Sequence, residues 1–193
     1  MKLVLATNNR HKIEEIKAYL TTVEILPREN FDLKEEGETL RENALQKARL
    51  VAVKAGMWAL ADDTGLFVDA LDGRPGILSA RYAGEQATAQ DNIKKLLKEL
   101  EGLSFEKRGA HFETVVALVH PDGREITVSG KLNGTIAEKS SGREGFGYDP
   151  VFWISSFRCT LAEIPLEQKN RISHRGKALE KLKTVLATKF FGV

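Results

Sequence analysis

Two adjacent carboxylates, Asp62 and Asp63, follow the apolar run Trp58-Ala59-Leu60-Ala61. Neighbouring acids repel one another unless a cation or a proton relieves them. Magnesium suits such a pair, because it takes oxygen ligands and keeps waters beside substrate phosphates. Asp62-Asp63-Thr64-Gly65 also has the composition of an acidic surface turn. Its position directly after a buried strand favours the metal reading. A second acidic stretch, Glu35-Glu36-Gly37-Glu38, precedes a helix, where acids are favoured in any case. Glu35 is the candidate ligand there, although composition alone does not select it.

Three further segments carry groups suited to an anionic, flat-ringed ligand. Thr7-Asn8-Asn9-Arg10-His11-Lys12 lies between a strand and a helix, and a helix start offers backbone N–H groups to phosphate. Asn and Thr are equally common as helix caps. The segment lacks the glycine and lysine spacing of a Walker A loop. Gly145-Phe146-Gly147-Tyr148-Asp149-Pro150 sets aromatics among glycines. That pattern suits close approach to a base and stacking on it, or a tight loop with core aromatics. Ser173-His174-Arg175-Gly176-Lys177 opens the last helix with Ser173 as cap. Its cationic groups oppose the helix dipole, a conflict that an anion or a carbonyl partner would relieve. Lys169 lies close enough in sequence to converge on the same place.

The elements that must position these groups are legible from periodicity. Leu3-Val4-Leu5-Ala6 reads as a buried strand, and Ile13, Ile16 and Leu20 recur at helical spacing. Leu40, Ala44, Ala48, Val51 and Ala55 line one face of a second helix, with a Thr39–Glu42 capping box and a stop at Gly56. A strand over residues 58–61 ends at the acidic pair. Ile93, Leu96, Leu97 and Leu100 mark a third helix behind a Thr88–Asp91 capping box. Residues 112–119 and 125–132 form a hairpin about Pro121-Asp122-Gly123. Another strand covers 151–154, and Ala178, Leu179, Leu182, Val185 and Leu186 make the last helix. This order implies an α/β or α+β fold with a mixed sheet. Residues from about 110 to 160 are expected to form a second lobe.

The chain has 193 residues, 29 basic and 27 acidic, for a net charge of +2. That balance argues against a non-specific nucleic-acid coat protein, which would be strongly basic. No stretch approaches the roughly 20 apolar residues of a membrane span. Cys159, the only cysteine, cannot form an intrachain disulfide. A cytoplasmic protein with no nucleic-acid or membrane partner is the expectation.

In this order, the segments resemble the inosine/xanthosine triphosphate pyrophosphatase family. The likeness runs through residues 6–12, Glu38-Thr39 to Asn43-Ala44, and residues 61–65. It continues in Pro75-Gly76, Ser79-Ala80-Arg81-Tyr82, residues 145–150 and Ile172-Ser173-His174-Arg175-Gly176. The resemblance implies one pyrophosphatase domain over 1–193, an elongated two-lobed mixed α/β fold with substrate in a central cleft, and a homodimer. It implies hydrolysis of ITP, dITP and XTP to the monophosphate and pyrophosphate with Mg2+, or with Mn2+ in its place. By match, Thr7, Asn8, Asn9, Arg10, His11 and Lys12 would bind the triphosphate. Glu35 and Asp63 would hold the metal, with Asp63 as catalytic base. Thr64 would touch substrate where many relatives carry serine, another hydroxyl. Phe146, Gly147, Tyr148, Asp149, Lys169, His174 and Arg175 would surround the purine. A pyrophosphatase for other modified nucleotides and a non-catalytic nucleotide-binding protein are the alternatives.

Overall fold

The computed structural model describes residues 1–26, 33 and 35–188. Leu3, Val4 and Leu5 are buried in β1, Lys2–Leu5. Helix α1, Arg10–Tyr19, starts at Asn9, whose side chain accepts from the His11 and Lys12 N–H groups. After the short β2, Glu24–Leu26, comes α2, Leu40–Ala55. The Thr39–Glu42 capping box is formed as expected, and Gly56 ends the helix with φ of 65°. Strand β3, Ala59–Val68, runs well past the acidic pair. Asp62 and Asp63 therefore lie inside a strand, not at its end.

Strand β4, Pro75–Gly76, leads to α3, Ala89–Glu99, which carries the Thr88–Asp91 capping box. The hairpin strands are longer than expected: β5 spans Gly109–Val119 and β6 spans Glu125–Ile136. Strands β7, Phe152–Ile154, and β8, Cys159–Thr160, precede α4, Leu166–Ile172, and α5, His174–Leu186. Ser173 serves as the C-cap of α4, its N–H donating to the Lys169 carbonyl at 2.9 Å. Ser173 also directly precedes α5, the position at which the sequence places that helix's cap.

The described strands form one eight-stranded sheet in the order β2-β1-β3-β5-β6-β7-β8, with β4 beside β3. β1 pairs in parallel with β2 and β3, whereas β3–β4, β6–β7 and β7–β8 are antiparallel. The mixed sheet agrees with the expectation from element order. The chain divides into two compact units. The first is Met1–Asp63, Thr114–Gly130 and His174–Val193, and the second is Thr64–Glu113 and Lys131–Ser173. The hairpin tip thus belongs to the first unit, while α3 and α4 belong to the second. The boundaries differ from a lobe over 110–160.

Each unit has its own core. In the first, Leu3, Leu5, Leu60, Val116 and Leu118 meet Ile16 of α1, Leu20 at its C-cap, and Leu179, Leu182 and Leu186 of α5. In the second, Leu66, Leu96, Leu100, Phe112, Ile136, Phe152 and Leu161 pack together. Each fully buried side chain of this size contributes roughly 1.5–3 kcal/mol. Helix α5 lies so close to β6 that Gly130 has no room for a side chain. A Cβ there would fall 2.6 Å from Ala178 N and against the His174 carbonyl. Gly130→Ala should therefore destabilise the protein by about 1–3 kcal/mol. Urea denaturation checks it, with a lower midpoint at unchanged slope.

Candidate active site

Successive side chains of a strand point to opposite faces. Asp62 shares its face with Leu60, which packs into the core made by α1 and α5. Asp63 points the other way, to side chains of α2. One acidic pair is thereby divided between two environments. Both residues are almost fully buried, at 1% and 4% exposure. A buried ionised carboxylate is tolerated only when it is paired and hydrogen-bonded.

Asp62 meets two cations. Its Oδ2 lies 3.0 Å from Lys12 Nζ and 3.1 Å from Arg175 Nε. Burial opposes the Asp62 charge, but Lys12, Arg175 and Lys47 outweigh it and hold its pKa well below 3.8. Arg175 Nη1 in turn donates to Glu15 Oε2, and both of these side chains are buried. Glu15 stands on α1 one turn beyond Lys12, so α1 supplies both ends of the chain Lys12–Asp62–Arg175–Glu15. Burial lowers the pKa of Lys12, helped by the charges of Arg175 and Lys47 and opposed by Asp62 and Asp63.

Asp63 meets Lys47 and Asn43, which are one turn apart on α2. Lys47 Nζ donates to Asp63 Oδ1 at 2.8 Å, to Glu35 Oε1 at 2.8 Å and to the Asp62 carbonyl at 3.0 Å. Asn43 Nδ2 donates to Asp63 Oδ2 at 3.2 Å, while its Oδ1 accepts from Gly37 N at 2.8 Å. Asn43 thus ties the loop after Glu35 to the strand that carries Asp63. Burial and the neighbouring Glu35 carboxylate outweigh Lys47 and push Asp63 up to about 6. Glu35 shifts the other way. Burial works against its charge, but Lys47 overcomes burial and lowers its pKa. Of the two acids, Asp63 is therefore the one that holds a proton in mildly acidic solution.

A second cluster lies in the second unit. Lys169 Nζ donates to Asp149 Oδ2 at 2.7 Å and stands 4.8 Å from the centre of the Phe146 ring. Asp149 Oδ2 also accepts from Phe146 N at 2.8 Å. Gly145, with φ of 75°, lies against this carboxylate, which occupies the space a Cβ would take. Tyr148, expected beside the purine, is 5% exposed, and its hydroxyl donates to the Ser79 carbonyl at 2.9 Å.

A family model described as the Ham1 family matches residues 3–185. The chain belongs to the Ham1 family. It is 50% identical over 192 residues to a dITP/XTP pyrophosphatase of Thermoanaerobacter sp., covering 96% of each chain. It is 49% identical over 188 residues to a dITP/XTP pyrophosphatase of Geobacter sulfurreducens, covering 94% of each. A solved Ham1 protein from Coxiella burnetii matches with a TM-score of 0.89 and 40% identity, over 97% of this chain and 99% of that one.

Within this Ham1 chain, the expected residues fall into the two clusters unevenly. Lys12, Glu35, Asp63 and Arg175 come together in the first, and Phe146, Asp149 and Lys169 in the second. Asn8, Arg10 and His11 are exposed at the start of α1, and Thr7 Oγ1 accepts from Asn9 N at 3.2 Å. Asn9 acts as the cap, engaging the His11 and Lys12 N–H groups at 3.0 and 3.4 Å. Gly147 is half-buried in its loop, Thr64 half-buried on β3 and His174 buried at the start of α5. Arg175 was expected near the purine, and its guanidinium grips Asp62 and Glu15. For Arg175, the helix-dipole conflict in the sequence is relieved by these carboxylates within the protein.

Sequence reasoning missed Lys47, Asn43 and Glu15. Asn43 and Lys47 share helical i, i+4 spacing beside the apolar stripe Ala44–Ala48–Val51, and a buried acidic pair needs cations; together these signals point to Lys47. The donor set in this Ham1 chain fits magnesium. Oxygens of Glu35 and Asp63 both stand 2.8 Å from the single Lys47 ammonium, so two carboxylates already converge on a cation. Among the described residues no group of three or more His, Cys, Asp or Glu side chains could hold a metal. Two carboxylates with water or phosphate completing the shell is a usual arrangement for magnesium.

Removing Arg175 leaves the buried carboxylates of Asp62 and Glu15 with less positive charge. Arg175→Ala should cost roughly 3–5 kcal/mol of stability, the usual penalty for breaking a buried pair. The loss should shrink below about pH 4, because Asp62 stabilises the fold above its ordinary pKa of 3.8 and protonation removes that contribution as pH falls. Guanidinium denaturation across pH measures both.

Proposed function

We propose that this protein hydrolyses non-standard purine nucleoside triphosphates, dITP, ITP and XTP, to the monophosphate and pyrophosphate. The observation that carries the proposal is the near-full-length likeness to chains named dITP/XTP pyrophosphatase. The buried cluster around Asp62 and Asp63 supplies groups suited to that chemistry. Phosphoryl transfer needs positioning and positive charge more than covalent help. Lys12 and Lys47 provide that charge beside the acidic pair. Glu35 and Asp63 would hold magnesium, which when bound neutralises charge on the phosphoryl oxygens.

Water attacks the α-phosphorus, a P–O bond forms, and the bond to the β-phosphate breaks with pyrophosphate leaving. Asp63 takes the proton of the attacking water as the new P–O bond forms. A group pushed up to about 6 suits that task near neutral pH. Phe146 offers a face for the base, and the Lys169 ammonium beside it offers a donor to a six-position oxygen. Adenine carries an amino donor there and would leave that ammonium unmatched, which can cost roughly 10⁴-fold in specificity.

A panel of nucleoside triphosphates assayed for pyrophosphate release tests the reading. With magnesium, dITP and XTP should exceed dATP by about 10³-fold or more in kcat/KM, and EDTA should abolish turnover. Asp63→Asn should lower kcat by about 100-fold or more. Equal turnover of all triphosphates, or preference for a pyrimidine, would overturn the proposal.

Proton and metal compete for the Asp63 oxygens. Asp63 keeps its proton below about 6, so magnesium affinity should rise as pH rises through that value and level off above it. Between about pH 5 and about pH 8 calorimetry should show roughly tenfold tighter binding, accompanied by proton release.

A further inference from the structure

Pro75-Gly76 and Ser79-Ala80-Arg81-Tyr82 belong to neither cluster, yet the segment is tied down from two sides. Ser79 Oγ accepts from Leu66 N at 2.8 Å and donates to the Gly76 carbonyl at 2.6 Å. Leu66 belongs to β3, the strand that carries Asp63. From α3, Asn92 Nδ2 donates to the Ala80 carbonyl at 3.0 Å, and its Oδ1 accepts from Ala83 N at 2.7 Å. The Tyr82 hydroxyl donates to Glu99 Oε2 at 2.6 Å. The backbone at Ser79 is thus fixed to both a strand and a helix.

The Tyr148 hydroxyl donates to that fixed Ser79 carbonyl at 2.9 Å, across a sequence separation of 69 residues. Tyr148 lies between Phe146 and Asp149. The bonds within this loop, Asp149 N to the Phe146 carbonyl at 3.2 Å and Val151 N to the Tyr148 carbonyl at 3.0 Å, set its shape. They do not set its location. Location requires ties that leave the loop, such as Asp149 to Lys169 and Tyr148 to Ser79. Burial raises the pKa of the Tyr148 phenol, with Tyr82 adding to the effect, so the hydroxyl keeps its proton and remains a donor.

We propose that Tyr148 is a positioning residue: its hydroxyl, anchored on the Ser79 carbonyl, holds the Phe146–Asp149 loop where a purine base is received. This role differs from the direct base contact expected from the sequence, and it rests on the purine-nucleotide reading above. A loop set slightly wrong weakens ground state and transition state alike, which raises KM and spares kcat. Losing one buried hydrogen bond corresponds to roughly a three- to tenfold effect.

Tyr148→Phe removes only the hydroxyl. With dITP and XTP it should raise KM about three- to tenfold with kcat within about twofold. Amide hydrogen exchange over residues 145–149 should be faster than in the wild type, with exchange in α3 unchanged. Ser79→Ala, which loosens the carbonyl without touching the loop, should shift KM and loop exchange in the same direction. An unchanged KM, a fall in kcat at constant KM, or unchanged exchange over 145–149 would overturn the anchor, even if the variant melts earlier. Should the wild type release no pyrophosphate from dITP or XTP, the functional reading fails. The exchange comparison alone then decides the anchor.

Discussion

A β-strand cannot aim two consecutive side chains the same way, and in this protein that rule acts on two buried acids. Asp62 and Asp63 sit inside β3, so each must find its own partners on its own face. Charge compensation then dictates what surrounds the strand. Helix α1 must bring Lys12, α5 must bring Arg175, and α2 must bring Lys47. Moving any one of these helices would leave a charge in a medium that cannot solvate it.

The two faces solve the problem differently, and the chemistry follows. Two cations press on Asp62, which stays ionised and acts as a fixed anionic post for Lys12 and Arg175. Asp63 shares one ammonium with Glu35, so negative charge is in excess there and its proton affinity rises. The environment separates neighbouring, chemically identical groups into a permanent ion and a titratable one. Enzymes that run acid and base chemistry at neutral pH often rely on such splitting.

Local signals were legible in the sequence because they depend on a few residues. The capping boxes at Thr39–Glu42 and Thr88–Asp91 and the stop at Gly56 fall where expected. The sequence suggests a shorter β3 because carboxylates suit turns better than strands, whereas Lys12, Lys47, Arg175 and Asn43 make them tolerable there. Glu15 reads like Glu14 beside it, an acid on a helix; its burial depends on a guanidinium far along the chain. The aromatic and glycine pattern of residues 145–150 revealed a loop but not which aromatic faces inward. Tyr148 differs from Phe146 by a hydroxyl, and the carbonyl that receives it lies in a segment with no chemical signature of its own. Unit boundaries were hidden because β3, β5 and β6 each contribute residues to both units, and strand patterning carries no mark at such a point.

The Asp62–Arg175 bond joins residues separated by 113 positions. A chain leaves the ribosome from its N-terminus, and earlier parts begin to fold first. While α5 is still being synthesised, β3 already carries Asp62, and Lys12 and Lys47 are cations from the emerged segment that act on it. The strand can be buried with its full complement of charge only when α5 arrives. Assembly of the acidic centre is therefore a late, nearly whole-chain event, and a nascent or prematurely stopped chain lacks the guanidinium that completes it.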